Sequence, residues 1–283
     1  MRPAAPALFL GATFIALSPI FVRLSDVGPT ASAFWRVALA APLLWSLVLP
    51  YRRRGEAQMP WRWLLLAGAA FAGDLAFWHW SIRFTSVANA TLLANLAAPF
   101  VTAAVWIFWH ERPSATFALG LGAALVGVLM LVSTSLAFSP TALVGDAFGV
   151  ITALFYAAYI LSVKEVRDRG SATLYVMAMT STLTALALLP VAAVSGETLL
   201  PADARGWLVL AGLAWISHCA GQGLIAYSLA HLPAAFSSVS LLFQPVMAAM
   251  FAWLLLSEPL VPLQVAGGLV VLAGIYLARR GTA

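Results

Sequence analysis

The chain has 283 residues, of which 63% are hydrophobic and only 9% charged, with a formal net charge of +5. A soluble domain carries about 25% charge, so a water-soluble globule is excluded and an integral membrane protein is expected. The basic excess does not make a nucleic-acid surface: the 15 basic residues, all but Lys164 arginine, sit mainly in short loops between apolar runs, as in loops that face anionic lipid.

A helical span needs about 20 mostly apolar residues to cross a hydrocarbon layer of roughly 30 Å. The first apolar run, Pro6 to Ser25, is longer than a usual signal-peptide core and no A-x-A-like site precedes a soluble domain, so it is predicted as a retained helix. Further spans are predicted at 31–50, 61–84, 87–109, 115–135, 145–164, 172–195, 206–230, 233–256 and 260–278. The connections are a few residues long, which makes consecutive helices antiparallel neighbours.

The segment from Ala88 to Met130 returns near the C-terminus. Trp106, Glu111, Gly120 and Gly127 match Trp253, Glu258, Gly267 and Gly274, each pair 147 positions apart (253 − 106, 258 − 111, 267 − 120, 274 − 127). Pro99 and Pro245 recur one residue out of register. This reads as an internal duplication, 1–137 and 141–283, of five helices each. If the N-terminus is cytoplasmic, eleven basic residues fall inside: Arg2, Arg52, Arg53, Arg54, Arg62, Arg112, Lys164, Arg167, Arg169, Arg279 and Arg280. Four fall outside: Arg23, Arg36, Arg83 and Arg205. That asymmetry predicts both termini inside. Five helices is an odd number, so the two copies run oppositely across the bilayer. The expected fold class is an all-α polytopic membrane protein, ten transmembrane helices in two inverted repeats around a central cavity.

Trp61, Trp63, Trp106, Trp109, Trp207 and Trp253 lie near predicted helix ends, where indole rings favour the interface. The small-residue runs around Gly120, Gly127 and Gly267–Gly268 are read as helix-packing faces within the chain, with a homodimer seam as the alternative and a monomer favoured. Cys219 is read as inert packing.

Polar side chains at bilayer depth are expensive and call for a reason. The third span carries Asp74 near its centre, with Trp78 four residues on and His79 at the edge of that face. The eighth carries His218 and Gln222, again four apart. The fourth has Thr91, Asn95, Pro99 and Thr102; the ninth has Ser237, Ser240, Gln244 and Pro245; the sixth has Thr152, Tyr156 and Tyr159. Lone Ser and Thr can bond back to their own helix, whereas amides and ionisable groups at this depth tend to line a wet cavity. These stripes predict an aqueous pocket between the halves, lined by spans 1, 3, 4, 6, 8 and 9. Pro19, Pro42, Pro99, Pro190 and Pro245 fall within spans; Pro99 and Pro245 are candidate hinges.

Ten short spans, two five-helix halves, a fourth-span proline, the acidic turns Glu111–Arg112–Pro113 and Glu258–Pro259, and the glycine-rich helix after each resemble the drug/metabolite transporter superfamily, EamA type. The resemblance covers essentially the whole chain. The stretch FWHWSIRFTSVANATLLANLAAPF looks most similar to the bacterial aromatic amino-acid exporters. The resemblance implies a ten-helix inner-membrane transporter with cytoplasmic termini and a central cavity, exporting metabolites or amino acids. The small four-helix drug antiporters of the superfamily keep a glutamate in their first helix; this chain has no acidic residue between Pro3 and Ser25.

The expected function is therefore export of small amphipathic metabolites, amino acids including aromatic ones, by alternating access. Asn95, Gln244 and His79 would meet the charged ends of the cargo, Asp74 would pair with its ammonium group or carry a coupled proton, and Trp78, Tyr156 and Tyr159 would meet a large side chain. His218 and Gln222 complete the polar set. A proton-coupled drug or organic-cation antiporter using Asp74 is the alternative. An enzyme is not expected: the chain lacks G-x-S-x-G, H-E-x-x-H, C-x-x-C and P-loop signatures. No cofactor or metal is expected; the partners are a small-molecule substrate and the lipid bilayer.

Overall fold

The fold was obtained as a computed structural model, which describes residues 3–49, 60–85, 87–133, 142–257 and 259–282. Arg2, Arg52, Arg53, Arg54 and Glu258 lie outside the described residues, as does the boundary expected between 137 and 141.

Ten helices follow the chain, and no strand occurs among the described residues. The first is α1 (Ala4–Ile15 continuing as Ser18–Leu24). It is followed by α2 (Pro29–Ala38 and Ala40–Val48) and α3 (Trp61–Phe84). Next come α4 (Val87–Ala94 and Ala97–Trp109), α5 (Ala115–Val132) and α6 (Ala142–Asp168). The remainder are α7 (Thr173–Val194), α8 (Ala204–Gly212, π-helical Leu213–Gln222 and Gly223–Leu229), α9 (Ala234–Ser240 and Phe243–Leu256) and α10 (Pro262–Gly281). Among the described residues nine of these are long and apolar enough to cross a membrane. The tenth, α3, is 24 residues long but carries Arg62, Asp74, His79 and Arg83. The helix least suited to lipid is the one with the most chemistry.

The breaks inside helices have one cause. Proline lacks an amide hydrogen and its ring collides with the carbonyl four residues earlier. The first segments of α1, α2, α4 and α9 end at Ile15, Ala38, Ala94 and Ser240, four to five residues before Pro19, Pro42, Pro99 and Pro245. Only Pro190 is accommodated inside an unbroken helix, α7. Asn95 sits at the α4 break, where its Nδ2 donates to the Thr91 carbonyl at 2.7 Å.

α5 packs along α10, α3 along α6, α1 along α8, α2 against α7 and α4 against α9. The α5–α10 seam is the tightest approach. A Cβ on Gly127 would stand 2.6 Å from the Gly267 carbonyl oxygen, and one on Gly267 2.7 Å from that of Gly127. Gly120 and Gly274 face one another in the same way, at 2.6 and 2.7 Å. The matched glycines thus meet across the chain's own interior. The seam is tied at its ends by Ser114 Oγ donating to Gly281 O (2.8 Å) and Gln264 Nε2 to Leu131 O (3.3 Å). α4 and α9 each end on a residue in the left-handed region, His110 (φ 59°) and Ser257 (φ 56°).

One end of the molecule is clasped. The Glu197 carboxylate, in the loop between α7 and α8, accepts from Thr30 N (2.7 Å), Ala31 N (3.3 Å) and Thr30 Oγ1 (3.1 Å) at the start of α2. These are amides that a helix N-terminus leaves without internal partners. Gly28 N donates to Thr198 O (3.1 Å), Trp35 Nε1 to Leu199 O (2.7 Å) and Ala202 N to Asp26 Oδ2 (2.7 Å). Trp61, Trp106, Trp109, Trp207 and Trp253 are exposed and Trp63 is half-buried, as suits residues at a lipid interface.

Candidate functional site

A cavity with about 140 Å³ of free space opens between α1, α3, α4, α6, α8 and α9, and α2 joins them through one side chain. It has room for on the order of ten waters, or about 300 Å³ of liquid, the lower end for small-molecule pockets. Three of the helices meet it at or beside their breaks: Ile15, Ala16 and Ser18 from α1, Ala94 and Asn95 from α4, Gln244 and Pro245 from α9. A proline-interrupted helix is where a buried wall can turn polar backbone inward.

Of the residues singled out from the sequence, Asp74, Trp78, Asn95, Tyr156, Gln222, Gln244 and Pro245 line this cavity. His79, Tyr159, His218 and Pro99 do not. His79 is fully buried with its Nδ1 donating to Leu75 O at 2.5 Å, and its ring meets Trp78 edge-on at 5.0 Å. His218 lies 2.8 Å from Ser181 Oγ and stacks on Phe71 at 5.4 Å. Tyr159 stacks on Phe71 at 4.6 Å and on Tyr156 at 6.0 Å. These three stand one layer behind the wall and fix the orientation of the rings in front. Of the pair His218 and Gln222, only Gln222 lines the cavity, and both lie in residues 213–222, which wind as a π-helix. Such bulges turn side chains out of α register and are frequent at functional sites.

The largest correction concerns Arg36. By sequence it is counted among the outer-side charges, although the second span is expected at 31–50 and so contains it. The helix begins at Pro29, which puts Arg36 two turns inside. Arg36 is only 6% exposed and lines the cavity. Its guanidinium carbon lies 5.8 Å from the centre of the Phe71 ring, a cation–π distance. Its Nε has no hydrogen-bond partner. Asp74 is within electrostatic reach across the cavity, but among the described residues no ion pair joins the two within 4.0 Å. Removing Arg36 from the outer count leaves eleven basic residues against three, which strengthens the expected asymmetry.

Other polar atoms at the site are also short of partners. Tyr156 lies beside Gln222 and Gln244, yet Nε2 of each amide and the Thr152 hydroxyl make no hydrogen bond. Leaving a buried polar atom unpaired costs about 1–3 kcal/mol. A set of such atoms around one void is what a binding site awaiting its ligand looks like. Three neighbouring hydroxyls are used up locally: Thr102 donates to Ala98 O (2.9 Å), Ser240 to Phe236 O (2.9 Å) and Ser81 to Gly145 O (2.7 Å); those of Ser18, Ser237 and Tyr159 make no hydrogen bond. Phe71 and Arg36 were not anticipated. A signal for Arg36 was present, a lone arginine in an apolar stretch seven residues beyond Pro29. For Phe71, one aromatic among many, there was none.

A crystal structure of another protein superposes with a TM-score of 0.85, covering 98% of this chain and 97% of that one at 14% sequence identity; it carries the fold alone. An uncharacterized transporter of Archaeoglobus fulgidus is 29% identical over 91% of both chains. The pseudopaline exporter CntI of Pseudomonas aeruginosa is 28% identical, covering 96% of this chain and 94% of its own. The model of the EamA-like transporter family matches residues 2–133 and again 143–280. With its ten long helices and a polar cavity among them, this chain is a multi-pass membrane transporter and belongs to the EamA-like transporter family.

Proposed function

We propose that the protein is an inner-membrane secondary transporter that exports small amphipathic metabolites, amino acids including aromatic ones, by alternating access. The observation that carries this reading is the cavity itself. It joins a buried guanidinium, a carboxylate and free amides to the aromatic surfaces of Trp78 and Tyr156. A zwitterion with an apolar side chain needs all of these groups together. That a relative of similar length is named a pseudopaline exporter supports export as the direction of transport.

Alternating access rests on the two halves being inverted copies, residues 1–137 and 141–283. Three observations support that reading. The family model matches twice. The contact of Gly120 with Gly274 becomes that of Gly267 with Gly127 when each residue is exchanged for its counterpart 147 positions away. His110 and Ser257, the left-handed ends of α4 and α9, are also 147 apart. In the mechanism the halves rock about the fixed site. Pro99 and Pro245 act as hinges where α4 and α9 are already broken, and the Glu197 clasp opens when the cavity turns to that side. With both termini cytoplasmic, the clasped end is the outer one. The glycine seam is consumed inside the chain, which favours a monomer.

A proton-coupled antiporter of organic cations, using Asp74, is the competing reading. Arg36 in the same cavity weighs against a cargo that is only cationic. Proteoliposomes loaded with radiolabelled phenylalanine or threonine are expected to show saturable flux above empty liposomes; absence of flux for every amino acid would reject the amino-acid cargo.

A further inference from the structure

We propose that Arg36 is the anchor for an anionic group on the cargo, and that a carboxylate is therefore an obligatory part of any molecule this protein carries. The inference deepens the transport reading above and rests on it, but it binds more narrowly, to one residue and one functional group.

Three observations converge. Arg36 is buried at bilayer depth, where an uncompensated charge is expensive and marks a functional position. Its guanidinium carbon stands over the Phe71 ring, while Nε has no acceptor. A guanidinium is a rigid fork of donors matched to a carboxylate, and here the fork lies against a cavity instead of another side chain. Finally, Asp74, the one acidic group lining that cavity among the described residues, forms no ion pair there with Arg36. A structural arginine at this depth would be expected to close on such a neighbour. Held apart, the two charges leave one position for an anion and another for a cation, and the unpartnered Nε2 atoms of Gln222 and Gln244 in the same lining can donate to a ligand. The cargo class that satisfies both charges without leaving a net charge in the bilayer is a zwitterion bearing a carboxylate.

The test uses purified full-length protein in detergent and in proteoliposomes, with phenylalanine, phenylethylamine (no carboxylate) and 3-phenylpropionate (no amine) as matched probes, and succinate as a carboxylate without an aromatic ring. In the wild type, at least one carboxylate probe raises the melting temperature, and phenylethylamine is at least tenfold weaker than phenylalanine. Arg36→Gln loses the carboxylate-induced shift and at least tenfold of the flux. Arg36→Lys, which keeps the charge but not the fork, recovers part of both. The inference is overturned if folded Arg36→Gln responds to carboxylates like the wild type. It is equally overturned if phenylethylamine is carried as well as phenylalanine, or if no carboxylate stabilises the wild type. Should Arg36→Gln fail to fold, the wild-type contrast between carboxylate and matched amine decides alone. If amino acids do not move but succinate or phenylpropionate stabilises through Arg36, the amino-acid cargo falls while the anchor stands.

Discussion

The α5–α10 seam and the cavity between α1, α2, α3, α4, α6, α8 and α9 lie in the same bilayer and are built on opposite rules. At the seam, glycines bring backbones to within 2.6–2.7 Å of where a Cβ would be, so nothing larger fits and no unpaired side-chain atom remains among the seam's described glycines and alanines. At the cavity, side chains are long, charged or amide-bearing, and several of their buried atoms are left without partners. The seam is finished in the absence of cargo. The cavity is not, and its unmet hydrogen bonds are the source of affinity. Packing drives helix association in lipid, where the hydrophobic effect between helices is absent, so the dry seam supplies the stability that lets the wet cavity remain incomplete.

Disrupting the seam should have the largest effect. Gly127→Leu drives a side chain into the backbone of α10 and is expected to destabilise by more than about 3 kcal/mol, seen as loss of monodisperse protein on size-exclusion chromatography. Mutating the cavity should do the reverse. Arg36→Gln is expected to abolish carboxylate-dependent flux while leaving the melting temperature unchanged or raised by up to about 4 °C, because an unpaired buried charge is removed. A melting temperature that falls as far as that of Gly127→Leu would erase the distinction between the two regions.

The clasp is intermediate. Glu197→Ala removes the carboxylate that accepts from Thr30 and Ala31 and is expected to cost about 1–3 kcal/mol, with faster hydrogen exchange at the start of α2. Trp78→Ala should change the preference between phenylalanine and threonine by about 10-fold and leave Arg36-dependent recognition intact, as competition flux would reveal. The smallest effect is expected at Ser257, where Ser257→Gly relieves a left-handed conformation and stabilises by up to about 1 kcal/mol, read from thermal melts.

The helix count, the positions of the spans and the in-chain glycine seam were legible because they follow from length, hydropathy and small-residue spacing. The proline breaks were equally legible, since the clash reaches a fixed four residues upstream. Asp74, Trp78, Asn95 and Gln244 could be singled out as polar or amphipathic groups in apolar runs. Arg36 was missed because it was counted as an outer-side charge although the predicted span 31–50 contained it, and only the packing of that helix decides whether its side chain reaches solvent or the cavity. His79, Tyr159 and His218 were read as lining residues, but a side chain at the edge of a helical face can turn either to the void or to its neighbours. The π-helical stretch of α8 and the Glu197 clasp left no mark in composition or periodicity.

By itself, the sequence determined that the chain spans a membrane as ten helices and marked five in-span prolines, at four of which the helices break, because hydropathy and proline act locally. The tertiary structure alone decided that Arg36 and Asp74, 38 positions apart (74 − 36), share one cavity without pairing. Contacts between distant helices depend on how seven of them converge, and no local rule in the chain encodes that distance.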